Sequence, residues 1–225
     1  MLMPKDMKIV NYDHQIWNTE CYFFAMEHLL DHGFDWYCRM FASGEGYKVI
    51  AEKTPYYACP EFPPHGRTSL WWIHHYLPHV KLIITIRNPA ERAFSDWLFR
   101  IRMPIEKPLW WKNTFQETVA DLNCGCVTHG IYVRGIQEAF GLFGRENVLV
   151  LVMERVKANL RQEYDRVCRF LDIDPAGFQQ PLGHFNTNDI TKKIDSVSRE
   201  RLSKFYDHHN LQLKRLLGDE LPEWK

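Results

Sequence analysis

The amino-acid sequence predicts an α/β fold in which helices flank a parallel sheet in three layers. Two apolar runs rich in β-branched residues support this prediction, KLIITI at 81–86 and NVLVLVM at 147–153. Continuous apolar runs of this length are typical of parallel strands that are covered on both faces. Helical patterns alternate with these strands, which favours a parallel sheet. The 225 residues contain no repeat or low-complexity linker, so we expect one domain spanning 1–225.

Capping residues mark the ends of the predicted helices, and a third, weaker strand is predicted at 47–51 (YKVIA). Asn88 is placed to cap a helix that has Pro89 at its first position. Thr114 and Glu117 have the spacing of a capping box. The predicted helices span 20–41 with a break near Gly33, 68–77, 89–100, 131–143, 160–171 and 197–217, the last followed by Gly218 as its C′ residue.

Composition and charge exclude several classes of protein. The chain carries 28 basic and 28 acidic residues, whereas general nucleic-acid binders carry a clear basic excess. No apolar run is long enough to span a bilayer and the first residues include no apolar leader, so we expect a cytoplasmic protein without a membrane partner. The six cysteines do not form a dense disulfide framework, and the spacing of Cys124 and Cys126 is not that of a zinc site. These features leave the oligomeric state open.

The segment KLIITIRNPAERAFSDW at 81–97 is the strongest candidate for a ligand site. Arg87 emerges where a buried strand is predicted to end, and ligands of open α/β sheets bind at that edge. Its guanidinium offers a rigid fork that suits a phosphate. Ser95 follows about two helical turns later and carries a hydroxyl that is able to donate to a phosphate. From the residues alone, a solvated arginine and a surface serine are the alternative.

Two shorter segments each contain one charged residue that is a candidate for the site, Lys53 and Glu20. Lys53 follows the strand predicted at 47–51 and lies two residues before Pro55, a placement that suits a contact with an anion. A solvated lysine in a loop is the alternative. Glu20 opens the segment ECYFF, which taken alone indicates only a helix start followed by apolar residues.

Together, these segments resemble the PAPS-dependent sulfotransferases, most closely their heparan-sulfate-type and bacterial branch. R-N-P-x-E-R-x-x-S-D-[WY] is similar to that family's 3′-phosphate-binding segment, which implies that Arg87 and Ser95 hold the 3′-phosphate of PAPS. The similarity to E-K-T-P-x-Y implies that Lys53 stabilises charge on the sulfuryl oxygens. The similarity to E-x-x-F-F implies that Glu20 is the general base for the acceptor. Many members carry His two positions after this Glu, where this chain has Tyr22.

Softer matches extend the resemblance over residues 13–218. Lys192 and Lys193 are candidates to close over the nucleotide, with a solvated pair of charges as the alternative. The family's first strand and its 5′-phosphosulfate loop have no counterpart in the sequence, since neither G-x-x-G-T nor G-K-[ST] occurs. Because that strand is internal to the family's sheet, its loss is expected to leave neighbouring strands exposed.

The resemblance implies a P-loop-NTPase-like sulfotransferase fold with the first strand and loop missing. The implied reaction transfers a sulfuryl group from PAPS to a hydroxyl of a carbohydrate or small molecule, releases 3′,5′-ADP and requires no metal. One alternative is a degenerate, non-catalytic relative that keeps only the 3′-phosphate site. Another, a P-loop kinase-like phosphotransferase, is disfavoured because the sequence has neither a Walker lysine motif nor a Mg²⁺ ligand set.

Overall fold

A computed structural model describes residues 7–9, 20–61, 63–102, 111–176 and 192–224. The chain divides into two compact units. The first unit comprises Met1–Thr85, Gly135–Leu151 and Arg155–Leu182, and the second comprises Ile86–Arg134, Val152–Glu154 and Gly183–Lys225. Each unit has its own buried residues and its own candidate site residues. The single domain expected from the sequence stays a prediction.

The structure describes four short strands that pair in twos: β1 (Met7–Ile9) with β2 (Val49–Ala51), and β3 (Leu82–Ile86) with β4 (Val148–Val152). β1 and β2 are parallel, with Met7 opposite Val49. The strands predicted at 47–51, 81–86 and 147–153 are confirmed at shorter lengths as β2, β3 and β4. No pattern in the sequence predicts β1. The mixture of helices and parallel strands confirms the α/β class.

Burial of the strands is less complete than their apolar sequences predict. Ile50 in β2 and Ile83 in β3 keep 40% and 37% of their surface exposed, although continuous apolar runs are typical of strands covered on both faces. Val148, Leu151 and Val152 of β4 are buried. Each of the described strands has one hydrogen-bonded neighbour, so one edge of each is not covered by another described strand, in keeping with the partial burial.

Ten α-helices lie within the described ranges. Thr68 caps the helix Ser69–Tyr76, because its side chain accepts a hydrogen bond from the Trp71 N–H. The capping box of Thr114 and Glu117 is present at the start of the helix Phe115–Thr118. Gly218, at φ 68°, ends the tenth as expected. The helices are α1 Glu27–Leu30, α2 Phe34–Arg39, α3 Ser69–Tyr76, α4 Pro89–Arg102, α5 Phe115–Thr118, α6 Gly125–Thr128, α7 Tyr132–Phe143, α8 Met153–Ala158, α9 Leu160–Leu171 and α10 Ser196–Leu217.

The helix predicted at 20–41 is shorter and broken in two. Gly33, at φ 82°, separates α1 from α2 as expected. Residues 20–26 are not helical, which corrects the predicted start of this helix. The N–H groups of Ala25 and Met26 both donate to the Tyr22 carbonyl, and Tyr22 itself has φ 56°. A left-handed φ at a residue other than glycine is incompatible with a regular right-handed helix.

Aromatic side chains form much of the core of the first unit. Phe23 and Phe24 are fully buried, and their ring centroids lie 4.7 and 4.9 Å from that of Tyr37. Leu70 and Ile73 of α3 belong to the same cluster. Burying apolar surface is worth about 25 cal/mol per Å², so the burial of Phe23 and Phe24 stabilises the turn that begins at Tyr22.

Three helices organise the second unit, where α4 packs against α6 and α10. Tyr206 of α10 is fully buried and donates its hydroxyl to the Val127 carbonyl at 2.6 Å. Asn88 Oδ1 accepts from the N–H groups of Ala90 and Glu91 at 3.1 and 3.2 Å, which confirms the predicted cap of α4. Among the helices in the described ranges, none is both long and apolar enough to cross a membrane.

Candidate functional site

Glu20 and Lys53 come together in the first unit. Lys53 Nζ lies 3.4 Å from Glu20 Oε1. Glu20 lies two residues before the turn that begins at Tyr22, and Lys53 lies just beyond β2. The Lys53 side chain is 53% exposed and the Glu20 side chain only 17%. A sheltered carboxylate beside an accessible ammonium is suited to accept a proton while a positive charge contacts an anionic ligand.

Tyr22 links these two segments a second time. Its hydroxyl donates to Glu20 Oε2, and its backbone N–H donates to Thr54 Oγ1 at 3.0 Å. Thr54 is the residue after Lys53, so one hydrogen bond and one ion pair join residues 20–22 to the loop after β2, while the hydroxyl bond of Tyr22 lies within the first of these segments.

Hydroxyl groups enclose the carboxylate of Glu52, the residue before Lys53. Thr54 Oγ1 donates to Glu52 Oε2 at 3.1 Å and the Tyr37 hydroxyl donates to Oε1 at 3.5 Å, while Tyr57 also hydrogen-bonds to this carboxylate. Burial raises the pKa of Glu52, and the hydrogen bonds from Tyr57, Thr54 and Tyr37 oppose that rise. No sequence pattern marks Glu52 as enclosed; its position beside the predicted lysine is the one available signal.

The backbone at Arg87 is held by two residues that are not among the predicted site residues. The Tyr132 hydroxyl accepts a hydrogen bond from the Arg87 backbone, and Glu154 Oε1 accepts from the Asn88 N–H at 3.0 Å. Burial raises the pKa of Tyr132 to about 12, opposed by Arg92 and by the bond from Arg87. Glu154 lies just after β4, and a strand end is the sequence signal that marks such a residue.

The Arg87 side chain shares a carboxylate with an arginine of α10. Arg87 Nη2 lies 4.0 Å from Glu91 Oε2, and Arg199 Nη2 donates to Glu91 Oε1 at 2.5 Å. The three groups carry one net positive charge, and all three side chains are partly exposed. Two guanidinium groups around one carboxylate fit an anion such as a phosphate, because each guanidinium has further N–H donors.

Ser95 and the lysine pair are also in the second unit. Ser95 is half-buried on α4, one turn after Glu91 and therefore on the same side of the helix. Lys192 and Lys193 are exposed and precede α10, whose first turn is capped by Asp195 Oδ1 accepting from the Ser198 N–H at 2.8 Å. Over the described ranges, no three His, Cys, Asp or Glu side chains are grouped to hold a metal.

Comparison with known proteins identifies a family. The family described as "Sulfotransferase domain" matches residues 9–215. The Xenopus laevis bifunctional heparan sulfate N-deacetylase/N-sulfotransferase 1 is 28% identical over 85% of this chain, and its Homo sapiens counterpart is 27% identical over the same share. The chain spans about a quarter of the length of these relatives, since it covers 25% of each.

A solved structure has the same fold. The crystal structure of a sulfotransferase from Alicyclobacillus acidocaldarius superposes with a TM-score of 0.71 and covers 98% of this chain and 89% of that chain. The two sequences are 20% identical, so this likeness bears on the fold alone. It agrees with the α/β class predicted from the apolar strands and the helices between them.

Proposed function

Because this chain belongs to the sulfotransferase domain family, we propose that it transfers a sulfuryl group from PAPS to an acceptor hydroxyl and releases 3′,5′-ADP. The observation that carries this proposal is the contact of Glu20 with Lys53 at 3.4 Å. Two short motifs far apart in the sequence supply a base and a cation, and folding brings their side chains together.

Glu20 acts in this proposal as the general base. An acceptor hydroxyl is a weak nucleophile until its proton has an acceptor, and a carboxylate within hydrogen-bond reach provides one. Lys53 neutralises negative charge at the group being transferred. Its ammonium is half-exposed while paired with Glu20, so it is able to contact a bound anion without breaking buried structure.

Arg87 and Ser95 hold the 3′-phosphate in this proposal, and Lys192 and Lys193 close over the nucleotide. PAPS supplies an activated sulfuryl group joined to a nucleotide phosphate that leaves. The guanidinium of Arg87 retains donors beyond its contact with Glu91 at 4.0 Å, and bidentate binding to phosphate is the common use of such donors. The reaction needs positioning and charge stabilisation, both of which these side chains provide.

A carbohydrate is the acceptor class that the relatives support. The names of the Xenopus and human relatives include heparan sulfate and N-sulfotransferase, which makes an amine on a sugar the main competitor of a sugar hydroxyl. Two acceptors distinguish them: a desulfated heparan-type chain with free amines, and the same chain after N-acetylation. Label transferred equally to both supports the hydroxyl, whereas label confined to the free amine supports the amine.

Transfer from radiolabelled PAPS tests the proposal directly. We expect labelled acceptor with the wild type, and little with Glu20→Gln or Lys53→Met. Lys204→Met is the matched control, because Lys204 also forms a surface ion pair, 2.7 Å from Glu200 on α10. If Glu20→Gln and Lys53→Met transfer label to the acceptor as well as the wild type does, Glu20 and Lys53 are not the catalytic pair.

Nucleotide binding is measured separately by calorimetry with 3′,5′-ADP. Arg87→Ala is expected to weaken binding at least tenfold, since a charge-assisted bidentate contact is lost. Arg161→Ala, which removes a comparable i,i+4 ion pair with Asp165 on α9, is expected to leave it unchanged. Binding without transfer to any acceptor supports the non-catalytic alternative, and absence of binding at millimolar nucleotide removes PAPS as the donor.

A further inference from the structure

The backbone of Tyr22 is strained and fixed on both sides. Its φ of 56° lies in the left-handed region, which a bulky aromatic residue rarely adopts. Its N–H donates to Thr54 Oγ1 at 3.0 Å, and its carbonyl accepts from the N–H groups of Ala25 and Met26 at 2.9 and 3.1 Å. Such strain persists only where surrounding contacts enforce it, and it is concentrated at functional sites.

The hydrogen bonds that hold the Tyr22 backbone in this conformation extend through Thr54 to Glu52. Thr54 Oγ1 accepts from Tyr22 and donates its own proton to Glu52 Oε2 at 3.1 Å. Since the Glu52 carboxylate is also held by Tyr37 at 3.5 Å, the position of Tyr22 is set by a hydrogen-bonded network rather than by the local turn alone.

The side chain of Tyr22 is held as firmly as its backbone. The residue is 7% exposed, and its ring centroid lies 5.9 Å from that of Tyr56. From this position the hydroxyl donates to Glu20 Oε2, while Lys53 lies 3.4 Å from Oε1. A different donor therefore contacts each oxygen of Glu20, which sets the orientation of the carboxylate.

We propose that Tyr22 is a positioning residue that holds the Glu20 carboxylate, through its phenolic hydrogen bond, in the orientation in which it accepts the acceptor's proton. This inference rests on the proposed sulfuryl transfer. In this proposal the Tyr22 hydroxyl acts through Glu20 and not on the reacting atoms. The ring and backbone of Tyr22 provide its packing and carry its strain, whereas the hydroxyl orients the Glu20 carboxylate. Removing the hydroxyl oxygen alone therefore tests the orienting role without changing the packing.

Tyr22→Phe makes that separation. We expect kcat to fall about tenfold, because misplacing a catalytic group is costly, with KM for the acceptor and the affinity for 3′,5′-ADP unchanged. Tyr22→His restores a side-chain N–H donor and is expected to recover part of the lost kcat. Tyr76→Phe is the matched control, since it removes a phenolic hydroxyl elsewhere in the same core cluster. Wild-type kcat in Tyr22→Phe, with Glu20→Gln inactive, overturns the Tyr22 proposal and leaves the proposed function standing.

A second measurement does not depend on turnover. The unfolding free energies of Tyr22→Phe, Glu20→Ala and the double variant, measured by urea denaturation, form a thermodynamic cycle in which each single variant removes one partner of the hydrogen bond. If the hydroxyl and the carboxylate interact, the shifts are non-additive, and the double variant loses less than the sum of the two single variants. Additive shifts overturn the proposal even where no acceptor is turned over. If the shifts are non-additive but no sulfuryl transfer is detected, the hydrogen bond between Tyr22 and Glu20 is supported and the proposed function is contradicted.

Discussion

Glu154 Oε1 accepts a hydrogen bond from the backbone N–H of Asn88 at 3.0 Å, which places a carboxylate from the first turn of α8, just after β4, at the start of α4. Its other oxygen, Oε2, accepts from the Trp224 indole N–H at 3.2 Å. Glu154 thus joins the residue after Arg87 to the C-terminal segment. Glu154 therefore holds the backbone next to Arg87 in place.

Removing this carboxylate is expected to affect both stability and nucleotide binding. In Glu154→Ala two N–H donors lose their acceptor, at a cost of about 1–3 kcal/mol for each donor that stays buried. We expect a lower urea midpoint and a several-fold weaker affinity for 3′,5′-ADP by calorimetry. Glu200→Ala, at an exposed helical ion pair with Lys204, is the control and should change neither quantity. Unaltered nucleotide affinity in a destabilised Glu154→Ala would limit Glu154 to a structural role.

Local signals in the sequence predicted local structure well. The Asn88 cap and the capping box of Thr114 and Glu117 depend on bonds that span two or three residues, so the residues that make them are adjacent in the sequence. The same is true of Gly33 and Gly218, whose positive φ values end or separate helices. Motif similarity, rather than periodicity, supplied the assignment of Glu20 and Lys53.

Long-range contacts set what the sequence did not predict. Residues 20–26 have the apolar content of a helix, yet Tyr22 adopts φ 56° and donates its N–H to Thr54, 32 residues away. The enclosure of Glu52 depends on Tyr37 and Tyr57, which no spacing rule connects to it. Ile50 and Ile83 are partly exposed because their exposure depends on which strands pair. An apolar run in the sequence does not specify its pairing partner.

Gly135 in α7 has no room for a side chain. A Cβ there would lie 2.0 Å from the carbonyl oxygen of Ala58, and a backbone atom does not move aside as a flexible side chain does. We expect Gly135→Ala to destabilise the protein by about 3 kcal/mol, at the upper end for overpacking, in a urea unfolding experiment. Gly141→Ala in the same helix is the matched control, because nothing lies within 4 Å of its Cβ position. There we expect a gain of about 0.5–1 kcal/mol. Equal effects at the two sites would contradict the close approach of Ala58.

The cysteines differ sharply in exposure. Cys38 is exposed, whereas Cys21, Cys124, Cys126 and Cys168 are buried. Burial raises the pKa of Cys21 to about 12, so little reactive thiolate forms there at neutral pH. We expect iodoacetamide to label Cys38 first in the native protein and the four buried thiols only after denaturation, as read by peptide mass spectrometry.

The variant Cys38→Ser serves as the control for this labelling order and should lose the fastest labelled site. Cys124 Sγ and Cys126 Sγ are 3.3 Å apart, and their hydrogen bond is the main cause that lowers the pKa of Cys124 and raises that of Cys126. Rapid labelling of Cys124 in the native protein would show that this lowered pKa outweighs its burial, contrary to the expected order.

His129 should make the protein sensitive to acid. Burial, reinforced by the positive charge of Arg92, lowers the pKa of His129 from 6.5 to about 4. Below pH 6.5 the unfolded chain takes up a proton that the folded protein does not, so stability falls as the pH drops from about 6.5 to about 4. The fall corresponds to at most about 3–4 kcal/mol at 1.36 kcal/mol per pKa unit. His129→Gln, which cannot be protonated, is expected to flatten this part of the curve of unfolding free energy against pH. The exposed His75→Gln is the control, and a slope that is the same in wild type and His129→Gln would show that His129 is not the group responsible.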